Sequence, residues 1–309
     1  MKLSIIVPCF NEEKMIFIFY QELMKELKGI KLDYELIFID DGSKDKTLAK
    51  QKEICLKDEK VKVISFSRNF GKESAMLAGL EKSIGDYVVI MDVDLQDPPS
   101  LLDKMISILN NKKYDSVATY RVTRDGEPVI RSCFASLFYK LINKFTNIKV
   151  VDGARDYRMM TRKMVDSLLE LKEYNRFSKG LFVWIGYKTK YLEYENIKRK
   201  AGESKWNFWK LFKYAVEGIV SFTTIPLRIA TIIGLFISLT ASIYLLYIII
   251  DTLINDNPVS GWPSMACIIL FLGGIQLLAL GIMGEYIARI YDETKKRSNY
   301  IIKEYINND

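Results

Sequence analysis

The sequence predicts an α/β domain built on a mostly parallel sheet, followed by an amphipathic helix and two membrane-spanning helices. Two observations support this prediction. From residue 1 to about residue 121, short β-rich apolar runs alternate with helical patterns, which is typical of a parallel sheet covered by helices. Near the C-terminus, two stretches of 22 residues, 229–250 and 263–284, contain no charged residue.

The alternating part predicts four strand–helix pairs in order. Each strand is a short run rich in β-branched and aromatic residues, and each helix shows apolar residues at helical spacing. The strands are expected at 3–7, 34–39, 61–67 and 87–91, and the helices at 12–28, 46–56, 72–83 and 100–110.

Composition excludes several classes of chemistry. The 309 residues contain 45 Lys plus Arg, 38 Asp plus Glu and no His, so His-based relays, bases and zinc sites are excluded. The four Cys lie far apart without a CxxC pair, which indicates a reducing compartment rather than a disulfide framework. The N-terminus lacks the apolar region of a secretory signal, so we expect it in the cytosol.

Each apolar stretch is long enough to cross a hydrocarbon layer of roughly 30 Å at about 1.5 Å per residue. A pair of buried core helices is the alternative. The segment 251–261 between the stretches contains two Asp but no Lys or Arg. Cations flank the pair on its outer sides: Lys210, Lys213 and Arg228 before it, and Arg289, Lys295, Lys296 and Arg297 after it. The positive-inside rule therefore predicts a plasma-membrane protein with two spans and both termini in the cytoplasm.

Upstream of the first span, Trp206, Trp209 and Phe212 recur at helical spacing, with Lys210 and Lys213 at other positions. This pattern favours a helix that lies at the membrane interface over an amphipathic helix packed on the globular domain. The predicted division of the chain is a cytosolic domain at 1–205, an interfacial helix at 206–225, a transmembrane hairpin at 226–285 and a cytoplasmic tail at 286–309.

Polar groups follow each predicted strand, and in parallel sheets ligands bind beyond the carboxyl ends of the strands. Asp92 and Asp94 follow the fourth strand. In extended geometry residues i and i+2 point the same way, so both carboxylates can face one Mg²⁺ or Mn²⁺ ion, with Gln96 adding an amide oxygen. A solvated turn is the alternative for an Asp-x-Asp pair alone.

The segment Asp40-Asp41-Gly42-Ser43 follows the second strand. It is expected to form a turn that caps the next helix, and its carboxylates can also accept hydrogen bonds from a pyrimidine N–H and ribose hydroxyls. Arg68 and Lys72, after the third strand, are candidates for binding a diphosphate.

Taken together, SIIVPCFNEE, DDGS, SRNFGKE and DVDLQDPP resemble, in order and spacing, the nucleotide-sugar half of the family 2 glycosyltransferases with the GT-A (Rossmann-like) fold. The two spans narrow the resemblance to the polyprenyl-phosphate glycosyltransferases, the group of dolichyl-phosphate mannose synthase and the bactoprenol glucosyltransferases. The later segments 156–160 and 199–205 also resemble that group, so the resemblance covers essentially the whole chain.

The resemblance implies roles for individual residues. Those expected to bind the UDP-sugar donor are Pro8, Asn11, Glu12, Asp40, Asp41, Arg68, Lys72, Asp92 and Gln96. Those expected to hold the divalent cation are Asp92, Asp94 and Gln96. Those expected to receive the lipid phosphate are Arg121, Arg131, Ser132, Arg199 and Lys205. The family often has a Ser one turn beyond the acceptor-binding Arg, and Ala135 occupies that position here, so the hydroxyl partner stays unassigned.

The implied activity is an inverting, metal-dependent transfer of a hexose from a UDP-sugar to undecaprenyl or another polyprenyl phosphate, for modification of cell-envelope glycans. Glucose is the first choice of sugar and N-acetylglucosamine the second. A phosphate monoester with a second pKa near ~6 supplies its own nucleophile at neutral pH. Asp94, Asp97 and Asp156 are the candidate catalytic residues, and Asp97 and Asp156 are expected to position groups or stabilise charge rather than to act as strong bases.

Two alternatives remain open. One is a processive polysaccharide synthase, although the Gln-x-x-Arg-Trp segment of those chains is missing. The other is a non-catalytic membrane scaffold that keeps a degenerate transferase domain. No nucleic-acid partner is expected, and the family resemblance implies a homo-oligomer, a tetramer.

Overall fold

The computed structural model describes residues 1–121, 151, 153–194, 220, 223–255 and 261–307. The chain divides into two compact units. The first comprises Met1–Gly218 together with Arg297–Asp309, and the second is Ile219–Lys296. The predicted interfacial helix at 206–225 falls largely outside the described residues, so it stays a prediction.

The first unit is built on an eight-stranded sheet in the order β7-β5-β6-β4-β1-β2-β3-β8. Strand β1 pairs in parallel with β2 and β4, and the β2–β3 and β5–β7 pairs are also parallel. The β4–β6, β5–β6 and β3–β8 pairs are antiparallel. The strands are β1 (Lys2–Cys9), β2 (Asp33–Asp40), β3 (Val61–Phe66), β4 (Tyr87–Ile90), β5 (Ser116–Arg121), β6 (Ala154–Thr161), β7 (Thr189–Tyr194) and β8 (Ile302–Ile306).

Helices cover the sheet, as the nearly continuous apolar runs of its central strands require. The core cluster packs side chains of β1 and β2 against α1 and α4, with Phe19, Phe38 and Met105 completely buried. The helices of this unit are α1 (Ile16–Leu27), α2 (Thr47–Cys55), α3 (Lys72–Lys82), α4 (Leu101–Asn110), α5 (Arg162–Glu170) and α6 (Ser178–Trp184).

The predicted alternation of strands and helices is confirmed, and most boundaries agree within one or two residues. The first helix differs, because it begins at Ile16 rather than at Glu12. The N–H of Glu12 donates to Thr47 Oγ1 at 2.8 Å, and the N–H of Glu13 donates to Asp45 Oδ2 at 3.2 Å. These side chains of the neighbouring loop hold the segment before Ile16 in a turn.

The second unit contains α7 (Ile225–Asn255) and α8 (Trp262–Lys295), and the two predicted apolar stretches lie within these helices. The candidate spans are Ile225–Ile248 and Ile268–Lys295, with mean hydropathies of 2.2 and 1.9. Their apolar side chains point outward, Leu235 being 71% and Leu270 76% exposed. By length and composition, both helices can cross a membrane.

The predicted tail at 286–309 contains regular structure, and its cytoplasmic location stays a prediction. Helix α8 continues to Lys295, and Ile302–Ile306 forms strand β8 at the edge of the sheet. Strand β8 runs antiparallel to β3, and Lys52 on α2 forms an ion pair with Glu304. The residues after the hairpin are therefore part of the first unit.

Candidate active site

The carboxyl ends of β1, β2, β3 and β4 lie at one edge of the sheet, because these four strands run parallel. Strand β6 runs antiparallel to β4, so its first residues lie at the same edge. In that pairing Ile90 is opposite Arg158, so Asp92, two residues beyond the strand, comes near Asp156. The edge thus collects the polar segments in the place where open α/β sheets bind ligands.

The loop after β2 is joined to the loop after β3 through Asp41. Its carboxylate accepts the backbone N–H of Phe70 at 2.7 Å and that of Gly71 at 3.0 Å. A Cβ at Gly42, whose φ is +67°, would lie 2.4 Å from the backbone carbon of Arg68, so glycine is required for this approach. Burial raises the pKa of Asp41 to about 6, although the two amides lower it. Each carboxylate oxygen keeps a lone pair that can accept a hydrogen bond from a ligand.

Asp40 and Asn11 shape the same loop from within. Asp40 is 1% exposed and accepts the N–H of Ser43 at 3.2 Å and the hydroxyl of Ser65 at 3.0 Å. Asn11, with φ of +53°, donates its N–H to Ser43 Oγ at 2.9 Å. Pro8 lies within β1. These contacts give Asp40 and Asn11 a structural role, and a contact with the donor stays a prediction for both, as it does for Pro8.

The ammonium of Lys72 lies between two carboxylates. Its Nζ is 2.7 Å from Asp92 Oδ1 and 2.6 Å from Asp156 Oδ2. Burial alone would raise the pKa of Asp156, but the charges of Lys72 and Lys179 hold it well below its usual range. Asp156 is therefore ionised at neutral pH, and the space between the two carboxylates favours positive charge.

The loop after β4 differs in geometry from the extended arrangement assumed from the sequence. Strand β4 ends two residues before Asp92, and residues 93–94 lie in a turn. Asp94 is 6% exposed, and its Oδ1 accepts the N–H of Gln96 at 3.1 Å. Leu95 has φ of +55°, a conformation that is uncommon for leucine and marks local backbone strain.

Asp97 is held by two residues, Arg155 and Tyr194, that are not among the predicted site residues. It is 1% exposed and accepts the hydroxyl of Tyr194, and Arg155 Nε lies 3.5 Å from its Oδ1. Arg155 also donates to Gln96 Oε1 at 3.4 Å. Burial raises the pKa of Asp97, and Arg155 opposes this rise. In the sequence, Arg155 could have been found because it is adjacent to the candidate Asp156. Tyr194 could not, because it lies 97 residues from Asp97 and no nearby motif marks it.

The residues present fit a divalent cation shared with a substrate. Among the described residues, no group of three or more His, Cys, Asp or Glu side chains is placed to hold a metal ion. Magnesium is commonly bound by one or two carboxylates, with substrate phosphates and water completing its coordination. Asp92, which lies 2.7 Å from the ammonium of Lys72, and Asp94 supply the number of carboxylates that this pattern needs. The described residues do not form a site in which protein groups alone coordinate the cation.

Glu73 is a further carboxyl at this edge that is not among the predicted site residues. It accepts both the N–H of Ser178, at 3.1 Å, and the Ser178 hydroxyl. Burial and the charge of Asp156 raise its pKa to about 7. The bond joins the start of α3 to the start of α6, the helix that carries Lys179. In the sequence, Glu73 could have been found because it directly follows Lys72 in the motif SRNFGKE.

The remaining predicted site residues are exposed or lie outside the described part. The guanidinium of Arg68 is exposed and stacks 4.0 Å from the ring centroid of Phe70. Arg121 ends β5, and its side chain is not among those described. The other acceptor-binding candidates lie outside the described residues: Arg131, Ser132, Arg199 and Lys205. Their roles stay predictions.

Two family models match the chain: glycosyl transferase family 2 over residues 4–169, and the GtrB C-terminal hairpin over residues 225–290. The bactoprenol glucosyl transferase of Shigella phage SfX is 45% identical over 98% of this chain and 99% of its own length. The prophage bactoprenol glucosyl transferase homolog of Escherichia coli K12 is 45% identical over the same shares. Among solved structures, glucosyl-3-phosphoglycerate synthase from Mycobacterium tuberculosis, in complex with Mn²⁺, UDP-glucose and phosphoglyceric acid, is 21% identical with a TM-score of 0.45. That match covers 71% of this chain and 77% of the synthase chain.

Proposed function

Because the chain belongs to glycosyl transferase family 2, we propose that it transfers glucose from UDP-glucose to a polyprenyl phosphate, with undecaprenyl phosphate as the first choice of acceptor. The observation that carries this proposal is the 45% identity, over nearly the full length of both chains, with proteins named as bactoprenol glucosyl transferases. The matching hairpin extends that similarity to the apolar helices. The product would be a polyprenyl-phosphate glucose for modification of cell-envelope glycans.

The donor nucleoside is assigned to the joined loops after β2 and β3. Asp41 already aligns its carboxylate on the amides of Phe70 and Gly71 and keeps lone pairs for the pyrimidine N–H or a ribose hydroxyl. The ring of Phe70 and the guanidinium of Arg68 lie in the same loop. The donor diphosphate would then extend toward Lys72 and the loop after β4.

A divalent cation, held by Asp92 and Asp94 with Gln96 nearby, would supply positive charge to the departing diphosphate. Lys72 balances one of the two negative charges of Asp92 and Asp156, which lowers the repulsion that a second anion would meet there. Arg155 holds Gln96 and Asp97 in place and fixes the loop that carries the cation-binding carboxylates. The contribution of these residues is therefore positioning and charge stabilisation.

The acceptor needs no strong base, because a phosphate monoester is largely dianionic at neutral pH. One of its oxygens would form the bond to the anomeric carbon while the bond from that carbon to UDP breaks, which inverts the configuration. Asp156 is ionised beside Lys72 and is too weak a base to take a proton, so it orients groups near the reacting carbon. Asp97 is buried and held by Tyr194, which gives it a supporting role.

The two apolar helices would keep the enzyme at the membrane that holds its lipid acceptor. Strand β8 follows the second helix and lies in the same sheet as the strands that precede the first helix. This supports the proposal that both ends of the hairpin are on one side of the bilayer. The Lys and Arg residues that flank the hairpin favour the cytoplasm as that side.

The test is a transfer assay with the full chain in detergent, using radiolabelled UDP-glucose or UDP-N-acetylglucosamine and a short polyprenyl phosphate. We expect a labelled lipid product with glucose, in the configuration opposite to that of the donor, that requires Mg²⁺ or Mn²⁺. Asp94→Asn should lose this product, whereas Asp103→Asn, an exposed acid on α4, should retain it. No labelled lipid with either sugar would overturn the proposal, and product only from UDP-N-acetylglucosamine would overturn the choice of glucose.

A further inference from the structure

The residues that follow the hairpin contact the loop that holds the donor-binding carboxylate. Strand β8 pairs with β3, the strand from which that loop leaves the sheet. At the start of the loop, the N–H of Ser67 donates to the carbonyl oxygen of Ile301 at 3.0 Å. The C-terminal segment, residues 298–306, is thus the immediate neighbour of the loop 67–71.

Tyr300 begins a continuous line of contacts that ends at Asp41. Its ring stacks on Phe66, with the centroids 4.9 Å apart and an interplanar angle of 17°. Phe66 in turn meets the ring of Phe70 edge to face at 5.8 Å. The backbone N–H of Phe70 donates to Asp41 at 2.7 Å. A change in the position of the Tyr300 ring therefore reaches the amide that orients Asp41 through two aromatic contacts.

Asn299 connects the same segment to other parts of the site. Its Nδ2 donates to the carbonyl oxygens of Glu173 at 3.3 Å and Tyr174 at 3.2 Å. Its own carbonyl oxygen accepts the hydroxyl of Ser74 at 2.9 Å. Ser74 lies two residues after Lys72 on α3. The segment is thereby fixed to the helix that supplies the bridging ammonium as well as to the donor loop.

We propose that the C-terminal segment is a positioning element for the donor nucleotide, with Tyr300 as its central residue. Tyr300 supports the rings of Phe66 and Phe70, so that the amides of Phe70 and Gly71 keep Asp41 aligned for the nucleoside. This inference rests on the proposed function in that it assigns the nucleoside to Asp41. It links the chain that leaves the hairpin to the affinity for a soluble substrate.

A purely structural strand makes a different prediction. A strand that only covered the edge of the sheet would affect stability and all kinetic constants alike when it is perturbed. A positioning element changes the Michaelis constant for the donor and the local order of the loop, and leaves the constant for the acceptor unchanged. The two roles can therefore be separated by comparing substitutions on the same segment.

The experiment uses the full chain with three substitutions. Tyr300→Leu removes the ring that stacks on Phe66. Tyr300→Phe keeps the ring and removes only the hydroxyl that donates to Glu81. Tyr305→Leu is the matched control, because Tyr305 lies on β8, is 43% exposed and contacts Lys82 rather than the loop. For each we measure the Michaelis constants for UDP-glucose and polyprenyl phosphate, kcat, and hydrogen exchange of peptides covering 67–71 without donor.

For Tyr300→Leu we expect a 3- to 10-fold rise in the Michaelis constant for UDP-glucose, which corresponds to the free energy of about one aromatic contact. We expect kcat and the Michaelis constant for polyprenyl phosphate to be unchanged. Exchange at the amides of Phe70 and Gly71 should be faster. Tyr300→Phe and Tyr305→Leu should both keep the wild-type Michaelis constants and exchange rates. Unchanged exchange in Tyr300→Leu, or equal effects of all three substitutions, would overturn the inference. If the wild type did not use UDP-glucose, the proposed function would fail, while faster exchange in Tyr300→Leu would still support the structural link.

Discussion

Replacing Asp41 with asparagine separates the cost of burying its charge from its use in binding. Its carboxyl is 3% exposed, and burial raises its pKa from 3.8 to about 6. A difference of about 2 pKa units corresponds to about 3 kcal/mol of destabilisation when the group is ionised. A carboxamide carries no charge, but its oxygen can accept only one of the two N–H groups of Phe70 and Gly71, and the other N–H loses its acceptor at a cost of about 1–3 kcal/mol. This loss offsets part of the gain, so we expect Asp41→Asn to be at least as stable as the wild type at pH 7.5.

The sign of the pH dependence follows from the raised pKa. The folded protein holds the proton of Asp41 more tightly than the unfolded chain does. The penalty is therefore fully present above about pH 6 and disappears as the pH falls toward 3.8. The net gain is about 0–2 kcal/mol, and at about 2–4 °C per kcal/mol for a domain of this size Asp41→Asn should unfold up to about 8 °C higher at pH 7.5. The difference in unfolding temperature between Asp41→Asn and the wild type should be smaller at pH 5.

The assay is thermal unfolding of the full chain in detergent, followed by tryptophan fluorescence. Asp103→Asn, an exposed substitution of the same kind, should leave the unfolding temperature unchanged. Asp41→Asn should also weaken UDP-glucose binding about 10- to 100-fold, since a hydrogen bond to a charged group contributes about 1.5–3 kcal/mol. An Asn variant that unfolds earlier at pH 7.5 would refute the burial argument, and unchanged donor affinity would remove Asp41 from the site.

Four further outcomes are expected. Asp94→Asn should lower Mg²⁺-dependent transfer at least about 100-fold with little change in unfolding temperature, and a near wild-type rate would exclude Asp94 from the site. UDP-glucose, which carries no phosphate monoester, should bind more weakly in calorimetry at pH 5.5 than at pH 7.5, because Asp41 gains a proton near pH 6, and equal affinities would contradict this. Tyr194→Phe leaves an oxygen of buried Asp97 without its hydroxyl donor and should cost about 1–3 kcal/mol, seen as a lower unfolding temperature. Arg131→Ala should raise the Michaelis constant for polyprenyl phosphate alone, and a change confined to the UDP-glucose constant would contradict its assignment.

The strand–helix order of the first 110 residues could be predicted because each element has a local signature. The β-rich runs at β1 to β4 are buried on both faces, and the polar segments after them had to meet at one edge once the strands were parallel. The start of α1 could not be predicted. It depends on hydrogen bonds that Glu12 and Glu13 make with side chains more than 30 residues away.

The parts of the site that escaped prediction all depend on long-range contacts. Tyr194 reaches Asp97 across 97 residues, and nothing near either residue in the sequence indicates the pair. Strand β8 is only five residues long and pairs with a strand more than 230 residues earlier, so its alternating pattern looked like a tail. The motif around Asp92 suggested an extended pair of carboxylates, whereas the turn at 93–94 forms where the loop meets β6.

The charges at the edge of the sheet explain why positioning is the central problem for this enzyme. Asp92 and Asp156 lie 2.7 Å and 2.6 Å from the ammonium of Lys72, and under the proposed function the donor diphosphate and the acceptor phosphate would meet beside them, where like charges repel. Lys72 contacts both of these carboxylates and balances one of their two negative charges. A divalent cation that arrives with the donor would add two positive charges, which the carboxylates and the diphosphate would share. The acceptor phosphate then requires cations of its own, which the resemblance assigns to Arg131 and Lys205. Under the proposed function, this division of charge would let a chain without histidine join two anions, because the nucleophile would already be ionised and the protein and the cation would supply the counter-charges.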